Sequence, residues 1–317
     1  MRICLMVEGQ EDVTWDDWLA LAGACERGGL EGLFRSDHYA SVFGVEGRGS
    51  LDAWATITAL AAVTERIRLG TMVSPSTFRH PSELARVACT ADHVSGGRIE
   101  LGLGAGWNEG EHRAFGFPFY DTRTRIQLFA EQLEIIHRQW TEDAFSFAGE
   151  HYALEDCRAL PRPLQTPHPP IIVGGAAKPG TVGPAVRFAD EYNTTYPTPD
   201  EVRERRARVL EACERAGRDP SGMTFSIMTG IVVASDRSEL LERVRRTMQR
   251  TLETGDPLAW LSEQQAAGWI VGTVDEVAGQ MRALADAGVE RFFLQHLDHT
   301  DLDTVGLLAG EVTRALR

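Results

Sequence analysis

A histidine that could exchange a proton with a substrate lies early in this 317-residue chain. His38 lies in the Ser36-Asp37-His38 sequence that directly follows the short segment 32–35. Histidine titrates near neutral pH, so it can donate or accept a proton during catalysis, and an aspartate can hold a polar group of a ligand. A hydrogen-bonded loop histidine is the simpler alternative. The position of His38 directly after a predicted strand favours the catalytic interpretation.

Two glycine-rich turns also end apolar segments. Residues 104–106 follow the segment 99–103, and Gly174-Gly175-Ala176 follows the segment 171–173. Glycine lets the backbone approach a ligand closely. The second turn precedes a helical pattern, and free N–H groups at a helix start can bind phosphate. A tight connection without a ligand explains this turn equally well.

The elements that must position these residues are clearest between residues 69 and 106. An apolar strand over 68–73 is predicted to end at Ser74-Pro75, because proline has no N–H for the ladder. A helix follows Pro81, with apolar residues at helical spacing, and ends at the glycine pair 96–97. The next apolar segment, 99–103, predicts a second strand. This strand, helix, strand order is typical of a parallel sheet.

The same unit recurs along nearly the whole chain, which predicts a single α/β domain over residues 1–317 that folds as a (β/α)8 TIM barrel. An open doubly wound sheet would need a glycine-rich loop after the first strand, and Glu8-Gly9-Gln10-Glu11 is not one. Insertions are expected after the fourth strand, as a hairpin within 145–170, and after the seventh, as two helices within 235–268. The predicted strands cover residues 4–7, 32–35, 68–73, 99–103, 171–173, 191–194, 224–233 and 291–295.

Composition narrows the classes of partner. The formal net charge is −14, which disfavours nucleic-acid binding because no basic stripe is present to neutralise phosphates. The five cysteines show no metal-binding spacing, and we predict that no metal is bound. The chain starts without a leader-like or membrane-spanning segment. These features predict a cytoplasmic protein that contacts no membrane.

Seven sequence strings resemble the luciferase-like monooxygenase superfamily, and in particular its branch that depends on coenzyme F420. The strings occur in order and at barrel spacing along essentially the full length. They are SDH at 36–38, GTMVSPSTFRHP at 70–81, DHVSGGR at 92–98, GLGAGWNEGEHRAFGFPF at 102–119, PIIVGG at 170–175, FADEYN at 188–193 and GTVDEV at 272–277.

The resemblance implies where a flavin-like ring would bind. It places the ring against the end of the third strand, where relatives carry a cis peptide that we expect at Met72-Val73. It implies that His38 is the active-site histidine. The cofactor-binding positions that it implies are Asp37 and Asn108 at the polar edge of the ring, Met72, Val73 and Ser74 at its face, and Gly174, Gly175 and Ala176 at the phosphate.

One departure from the family pattern concerns the substrate. Relatives that oxidise sugar phosphates carry an acid where this chain has Trp107, so that activity is not expected. Trp107, Glu111 and His112 are candidate substrate contacts, although Glu111 and His112 also fit a solvated loop and Trp107 fits a filler of the barrel top. Arg79 is a candidate for a phosphate or for the acidic tail of F420, and a structural role explains it equally well.

Three functions fit these observations. The leading hypothesis is an F420-dependent oxidoreductase that transfers a hydride between the deazaflavin and a small organic substrate. The first alternative is a monooxygenase that uses FMNH2 and O2, and the second is a barrel that binds flavin without catalysis. The arginine-rich composition, with 32 arginines and lysines of which one is a lysine, favours F420 through its association with GC-rich genomes. We further expect a homodimer and a separate reductase that recycles the cofactor.

Overall fold

Strands and helices alternate along the computed structural model, which describes residues 1–316. The strands are β1 (Arg2–Val7), β2 (Gly32–Arg35), β3 (Arg68–Thr71), β4 (Ser74–Pro75), β5 (Ile99–Gly104), β6 (Phe145–Ala148), β7 (Ala153–Cys157), β8 (Ile171–Gly174), β9 (Glu191–Thr195), β10 (Thr224–Ala234), β11 (Ile270–Thr273) and β12 (Arg291–Gln295). The helices are α1 (Trp15–Gly28), α2 (Ala53–Val63), α3 (Pro81–Ser95), α4 (Glu109–Phe115), α5 (Thr122–Thr141), α6 (Pro179–Phe188), α7 (Pro199–Arg215), α8 (Arg237–Thr251), α9 (Pro257–Ala266), α10 (Val274–Asp286), α11 (Leu302–Leu307) and α12 (Thr313–Ala315).

Eight of the strands close into a parallel barrel. β1 pairs with β12 on one side and with β2 on the other. The ladder continues through β3, β5, β8, β9 and β10, and β10 pairs with β12 to close the ring. The predicted (β/α)8 barrel is therefore confirmed, and the open doubly wound alternative is wrong.

The third barrel strand differs from its prediction. β3 ends at Thr71 instead of running to residue 73, and the Met72-Val73 peptide is cis, as expected. Ser74–Pro75 then pairs again with β5, so the proline does not end the pairing. A bulge explains the difference, because pairing with β5 stops after Gly70 opposite Glu100 and resumes at Ser74 opposite Leu103, which leaves one extra residue on this strand.

Both predicted insertions are present. β6 and β7 form an antiparallel hairpin between barrel strands β5 and β8. After β10 the chain forms α8 and α9, and β11 then pairs with the last residues of β10 outside the closed ring. These insertions add to the outer layer and leave the eight-stranded ring intact.

Local capping sets where the barrel helices begin and end. Thr14 and Asp17 form a capping box that starts α1. Pro81 occupies the first turn of α3, and Gly96 ends that helix with a φ of 69°. These local contacts therefore fix the start of α1 and both ends of α3.

Side chains fill the barrel from its amino-terminal end upward. Arg291 closes that end, with its guanidinium 2.6 Å from Glu100 and 3.0 Å from Glu191. Above it, the rings of Phe34 and Phe293 meet edge to face at 4.8 Å. The lower half of the barrel is therefore packed, and space remains only toward the carboxyl ends of the strands.

No helix within residues 1–316 is both long enough and apolar enough to span a membrane. The five cysteines of this part of the chain are unpaired, and four of them are buried. Their thiols therefore act as small core side chains in this fold.

Candidate active site

A cavity of about 590 Å³ opens at the carboxyl ends of the barrel strands. A pocket of this size accommodates a typical small-molecule or cofactor ligand, and barrel enzymes place their chemistry at this end. No group of metal-ligating side chains occurs in the part of the chain that the structure describes. All eight barrel strands contribute to the wall, through residues that include Glu8, His38, Val73, Gly104, Gly174, Thr195, Met228 and Gln295.

His38 lies on this wall and is held by an acid from helix α4. Its Nδ1 atom is 2.7 Å from Oε2 of Glu111, a buried residue of α4. The other carboxylate oxygen of Glu111 accepts the backbone N–H groups of Tyr39 and Ala40. Glu111 therefore fixes both the ring of His38 and the backbone that follows it, and Nε2 is left as the ring nitrogen available to a ligand.

Electrostatics at this pair favours the charged forms. Burial opposes protonation of His38, but the hydrogen bond and charge of Glu111 outweigh it, with smaller contributions from Glu8 and Asp37, so the pKa of His38 is raised. Burial likewise opposes ionisation of Glu111, yet the contacts with His38 and the two backbone N–H groups hold its pKa below its usual value. The pair therefore supports a protonated imidazole beside an ionised carboxylate.

The interpretation of Glu111 and His112 as a solvated loop is wrong, because both side chains are buried on the helix α4. Asn108 caps this helix by accepting the N–H of Glu111 at 3.2 Å. An Asn followed three residues later by Glu is a helix-start signature, so the sequence contained a signal for α4. The partnership of Glu111 with His38 had no such signal.

His112 packs behind the cavity wall. Its Nδ1 is 2.6 Å from the carbonyl oxygen of Asn108, and its Nε2 is 2.6 Å from the hydroxyl of Thr77. The ring lies between Phe78 and Phe119, with centroids 4.9 Å from each. Both ring nitrogens are thus used within the protein, and neither His112 nor Glu111 lines the cavity.

Trp107 does line the cavity, although it does not fill the barrel top. Its side chain is 64% exposed, and its ring meets that of His38 edge to face at 5.7 Å. A large exposed aromatic beside the candidate proton donor provides a surface against which a flat ligand can stack.

The Met72-Val73 bulge forms another part of the wall. Glycines on the neighbouring strand β5 make room for Val73, because a Cβ added at Gly102 or Gly104 would lie 2.9 or 2.8 Å from its methyl groups. Met72 and Val73 both border the cavity. The predicted contact positions 72 and 73 are therefore brought to the same place as His38.

Asp37 and Ser74 lie behind this wall. The Ser74 hydroxyl donates to the Asp37 carboxylate at 2.6 Å and accepts the indole N–H of Trp54 at 3.1 Å. Arg79 forms ion pairs with Asp37 and Asp52. Arg79 thus has the structural role, and not the phosphate-binding role, of the two that the sequence left open. Of the predicted cofactor contacts, Asp37, Ser74, Asn108 and Ala176 do not border the cavity.

Gly174 and Gly175, at the end of β8, also border the cavity. The N–H of Gly175 is already donated to Asn193 at 2.9 Å, and that of Ala177 to the hydroxyl of Tyr192 at 2.9 Å. Helix α6 starts immediately afterwards, and its first residue is preceded by Lys178, whose side chain makes no cap. The start of α6 therefore offers a positive dipole end together with the only lysine of the chain.

Sequence analysis did not select three polar residues of the wall. Glu8 accepts a hydrogen bond from the amide of Gln10 at 2.7 Å and another from the amide of Gln295. The hydroxyl of Tyr196 donates to the Gln295 amide oxygen. Glu8, Tyr196 and Gln295 each follow or end a barrel strand, which is the signal that could have identified them.

Comparison with known proteins agrees with this geometry. The family model described as luciferase-like monooxygenase matches residues 3–291. The pyrimidine monooxygenase RutA of Pseudomonas syringae pv. syringae is 31% identical over 244 residues, which cover 75% of this chain and 63% of RutA. The FMNH2-dependent dimethylsulfone monooxygenase of Pseudomonas putida is 28% identical over 79% of this chain and 66% of its own length. The matches thus span less than two thirds of the length of these relatives.

Solved structures share the complete fold. An F420-dependent secondary alcohol dehydrogenase in complex with an F420-acetone adduct superposes with a TM-score of 0.84 at 19% identity, and covers 100% of this chain and 99% of its own. The monooxygenase RslO1 from Streptomyces bottropensis gives a TM-score of 0.83 at 23% identity, with 100% of both chains covered. At these identities the similarity shows the fold alone.

Proposed function

This chain belongs to the luciferase-like monooxygenase family, and on that premise we propose that it is an F420-dependent oxidoreductase acting on a small organic molecule. The observation that carries the proposal is the placement of His38, held by Glu111, on the wall of a cavity that the Met72-Val73 bulge also borders. When bound, the deazaflavin supplies or accepts the hydride, and the protein must exchange the accompanying proton.

The cavity fits such a group. Its volume of about 590 Å³ suits a tricyclic ring with part of a substrate, and its glycines at 104, 106, 174 and 175 allow close backbone approach. Met72 and Val73 provide an apolar face for the ring. The start of α6, with Lys178, provides a site for the phosphate of the cofactor.

His38 is the proton donor or acceptor in this proposal. Because Glu111 occupies Nδ1, the proton that is exchanged resides on Nε2. Glu111 stabilises the imidazolium and fixes the orientation of the ring, as an acid behind a catalytic histidine does elsewhere. Glu111 is thus a positioning residue in this proposal. This role replaces the direct substrate contact that the sequence suggested for Glu111.

A second candidate is a monooxygenase that uses FMNH2 and O2. It is favoured by the identity shared with the FMNH2-dependent dimethylsulfone monooxygenase. The same cavity and the same histidine would serve it, and a separate reductase would supply reduced FMN. The two candidates differ in the cofactor that binds and in the need for O2.

A parallel titration with F420 and FMN, each oxidised and reduced, tests the proposal. Trp107 lies on the cavity wall, so quenching of tryptophan fluorescence reports binding. Selective binding of F420 supports hydride transfer, selective binding of FMNH2 supports the monooxygenase, and binding of neither contradicts both. The His38→Ala variant should retain its affinity for whichever cofactor binds. Its turnover with that cofactor should fall about 100-fold or more. Unchanged turnover in His38→Ala would remove His38 from the mechanism, whereas cofactor binding without any turnover in the wild-type protein would support the non-catalytic flavin-binding barrel.

We also propose that the protein is a homodimer. An open groove of about 830 Å³ runs between α2 and α3, lined mainly by small and apolar residues. Ala55, Ala59 and Val94 of this groove are exposed in the single chain. Analytical ultracentrifugation should give twice the chain mass, and Ala59→Arg should give a monomer, whereas a monomeric wild-type protein would contradict the proposal.

A further inference from the structure

Glu8 is a buried carboxylate that borders the cavity without a cationic partner. It directly follows β1, and its side chain contributes to the wall while the residue is only 6% exposed. Within residues 1–316, no arginine or lysine forms an ion pair with it, and the amides of Gln10 and Gln295 are its hydrogen-bond partners. A buried carboxylate that forms no direct ion pair is incompletely compensated for its lost solvation, so a ligand group that donates a hydrogen bond would stabilise it.

The orientation of both amides follows from their other contacts. The oxygen of the Gln10 amide accepts the Ser36 hydroxyl, and the oxygen of the Gln295 amide accepts the Tyr196 hydroxyl. Each amide must therefore direct its NH2 group to Glu8. Two donors hold the carboxylate in one position, and since a carboxylate can accept about four hydrogen bonds, acceptor capacity remains for a ligand.

The remainder of the wall makes this acceptor selective. Glu8 is the single carboxylate among the described residues that line the cavity, and no arginine or lysine lines it. The amide of Asn193, another wall residue, is already bonded to Ser226 at 2.9 Å. Met72, Val73 and Met228 provide apolar surface. An anionic substrate would meet repulsion near Glu8 and find no arginine or lysine on the wall, whereas an ammonium or N–H group would meet an acceptor.

We infer that Glu8 binds the substrate directly and selects small molecules that carry an ammonium or N–H group on an otherwise apolar body. The inference rests on the proposed function in that it takes this cavity as the active site. Carboxylate and phosphate substrates are selected against by the same residue. Glu8 thus defines the substrate end of the cavity, opposite to the phosphate site proposed at α6.

The test compares three probes that share one ring: benzylamine, benzyl alcohol and benzoate. Each is titrated into the purified full-length protein at neutral pH, with and without saturating cofactor, and tryptophan fluorescence is followed. We expect benzylamine to bind about tenfold or more tightly than benzoate, with the alcohol between them. Glu8→Gln should reduce that preference to about threefold or less, whereas Glu8→Asp, which keeps the charge, should retain part of it.

Glu11→Gln is the matched control. Glu11 is equally buried, but it pairs with Arg48 and does not line the cavity. Its replacement should leave the order of the probes unchanged, and thermal unfolding checks that each variant is folded. Glu8→Gln folds only if the amides of Gln10 and Gln295 accommodate the new side chain. Glu8→Asp, which keeps the charge, is therefore the second variant that tests the inference.

Four results would overturn the inference. They are no binding of any probe, no preference for benzylamine in the wild-type protein, the same preference in Glu8→Gln, or a loss of cofactor affinity in Glu8→Gln with the probe order unchanged. The last would assign Glu8 to the cofactor. Cofactor titrations of the same preparations distinguish failure of this inference from failure of the proposed function. The order of probe affinities can be measured even when neither cofactor binds.

Discussion

Glu111 acts on His38 and on the chain that follows it. One of its oxygens contacts Nδ1 of the imidazole, and the other accepts two successive backbone N–H groups. The carboxylate is fully buried, so its charge is poorly screened from the ring. The protonation of His38 therefore depends mainly on one residue of helix α4.

Replacement of Glu111 should lower the pKa of His38. In the wild-type protein the pKa is raised, since the Glu111 contacts outweigh burial. Glu111→Gln removes the negative charge while burial remains, so the imidazolium is destabilised and His38 loses its proton at a lower pH. We expect a downward shift in an NMR titration of the ring, together with turnover reduced about 10- to 100-fold.

Glu109→Gln provides the control on the same helix. Glu109 is exposed and pairs with Arg113 at 3.1 Å, away from the imidazole. Its replacement should leave the His38 titration unchanged. If Glu111→Gln and Glu109→Gln gave the same titration curve as the wild-type protein, Glu111 would not set the protonation of His38.

At the scale of elements, the proposed phosphate site lies at the start of α6. The helix has ten residues, begins with Pro179 and lacks a side-chain cap. The turn before it is held by Tyr192, which contacts Ala177 and Thr181. A rigid turn with an uncapped helix start suits an anion that the cofactor, and not the protein, provides.

Charge reversal at Lys178 should weaken the binding of FMN and leave that of riboflavin unchanged. Lys178→Glu places a negative charge at the positive end of α6, which repels a phosphate but not a neutral ribityl chain. We expect the dissociation constant of FMN to rise about three- to tenfold in a fluorescence titration. The comparison of the two ligands within one variant separates the phosphate from the ring.

Arg187→Glu, at the other end of α6, is the control for this experiment. Arg187 is exposed and pairs with Glu134 at 3.1 Å. Its reversal changes the net charge equally but adds the charge at the wrong end of the helix. Equal effects of both variants on FMN would mean that only the overall charge matters and would contradict a phosphate site at α6.

Across the whole molecule, the pKa values of buried histidines are shifted in opposite directions. The pKa of His38 is raised, whereas burial lowers that of His296. Burial, assisted by the charge of Arg250, lowers the pKa of His299 to about 4. His299 follows β12 and lies 3.7 Å from Asp17 of α1, so it connects the segment after the last barrel strand with the first helix.

Acid should therefore destabilise the fold through His299. The unfolded chain binds a proton at this residue below about pH 6.5, but the folded protein binds it only near pH 4. The free energy of unfolding should fall as the pH decreases through this window, by up to about 3 kcal/mol from this residue. Urea denaturation at several pH values measures the loss.

His299→Gln should reduce this pH dependence, because glutamine has no proton to bind. His93→Gln, at an exposed histidine of α3, serves as the control and should follow the wild-type curve. If His299→Gln lost stability with acid as steeply as the wild-type protein, the ionisation of other groups would account for the whole effect.

Much of the architecture followed from local signals. The barrel strands were predicted from apolar segments bounded by glycine and proline, and the start of α3 from Pro81. These features depend on neighbours within a few residues. The exceptions were α4, where an available capping signature was interpreted as a loop, and the Ser74–Pro75 segment, which resumes pairing after the bulge.

The sequence by itself determined that chemistry lies at the carboxyl ends of the strands, since a parallel barrel collects those ends at one face. Only the tertiary structure decided which of those residues reach the cavity. Asp37 turns into a buried network while its neighbour His38 borders the cavity, because the strand-end backbone directs successive side chains to opposite sides. The pairing of His38 with Glu111 spans 73 positions, and no local pattern encodes a contact that the closure of the barrel creates.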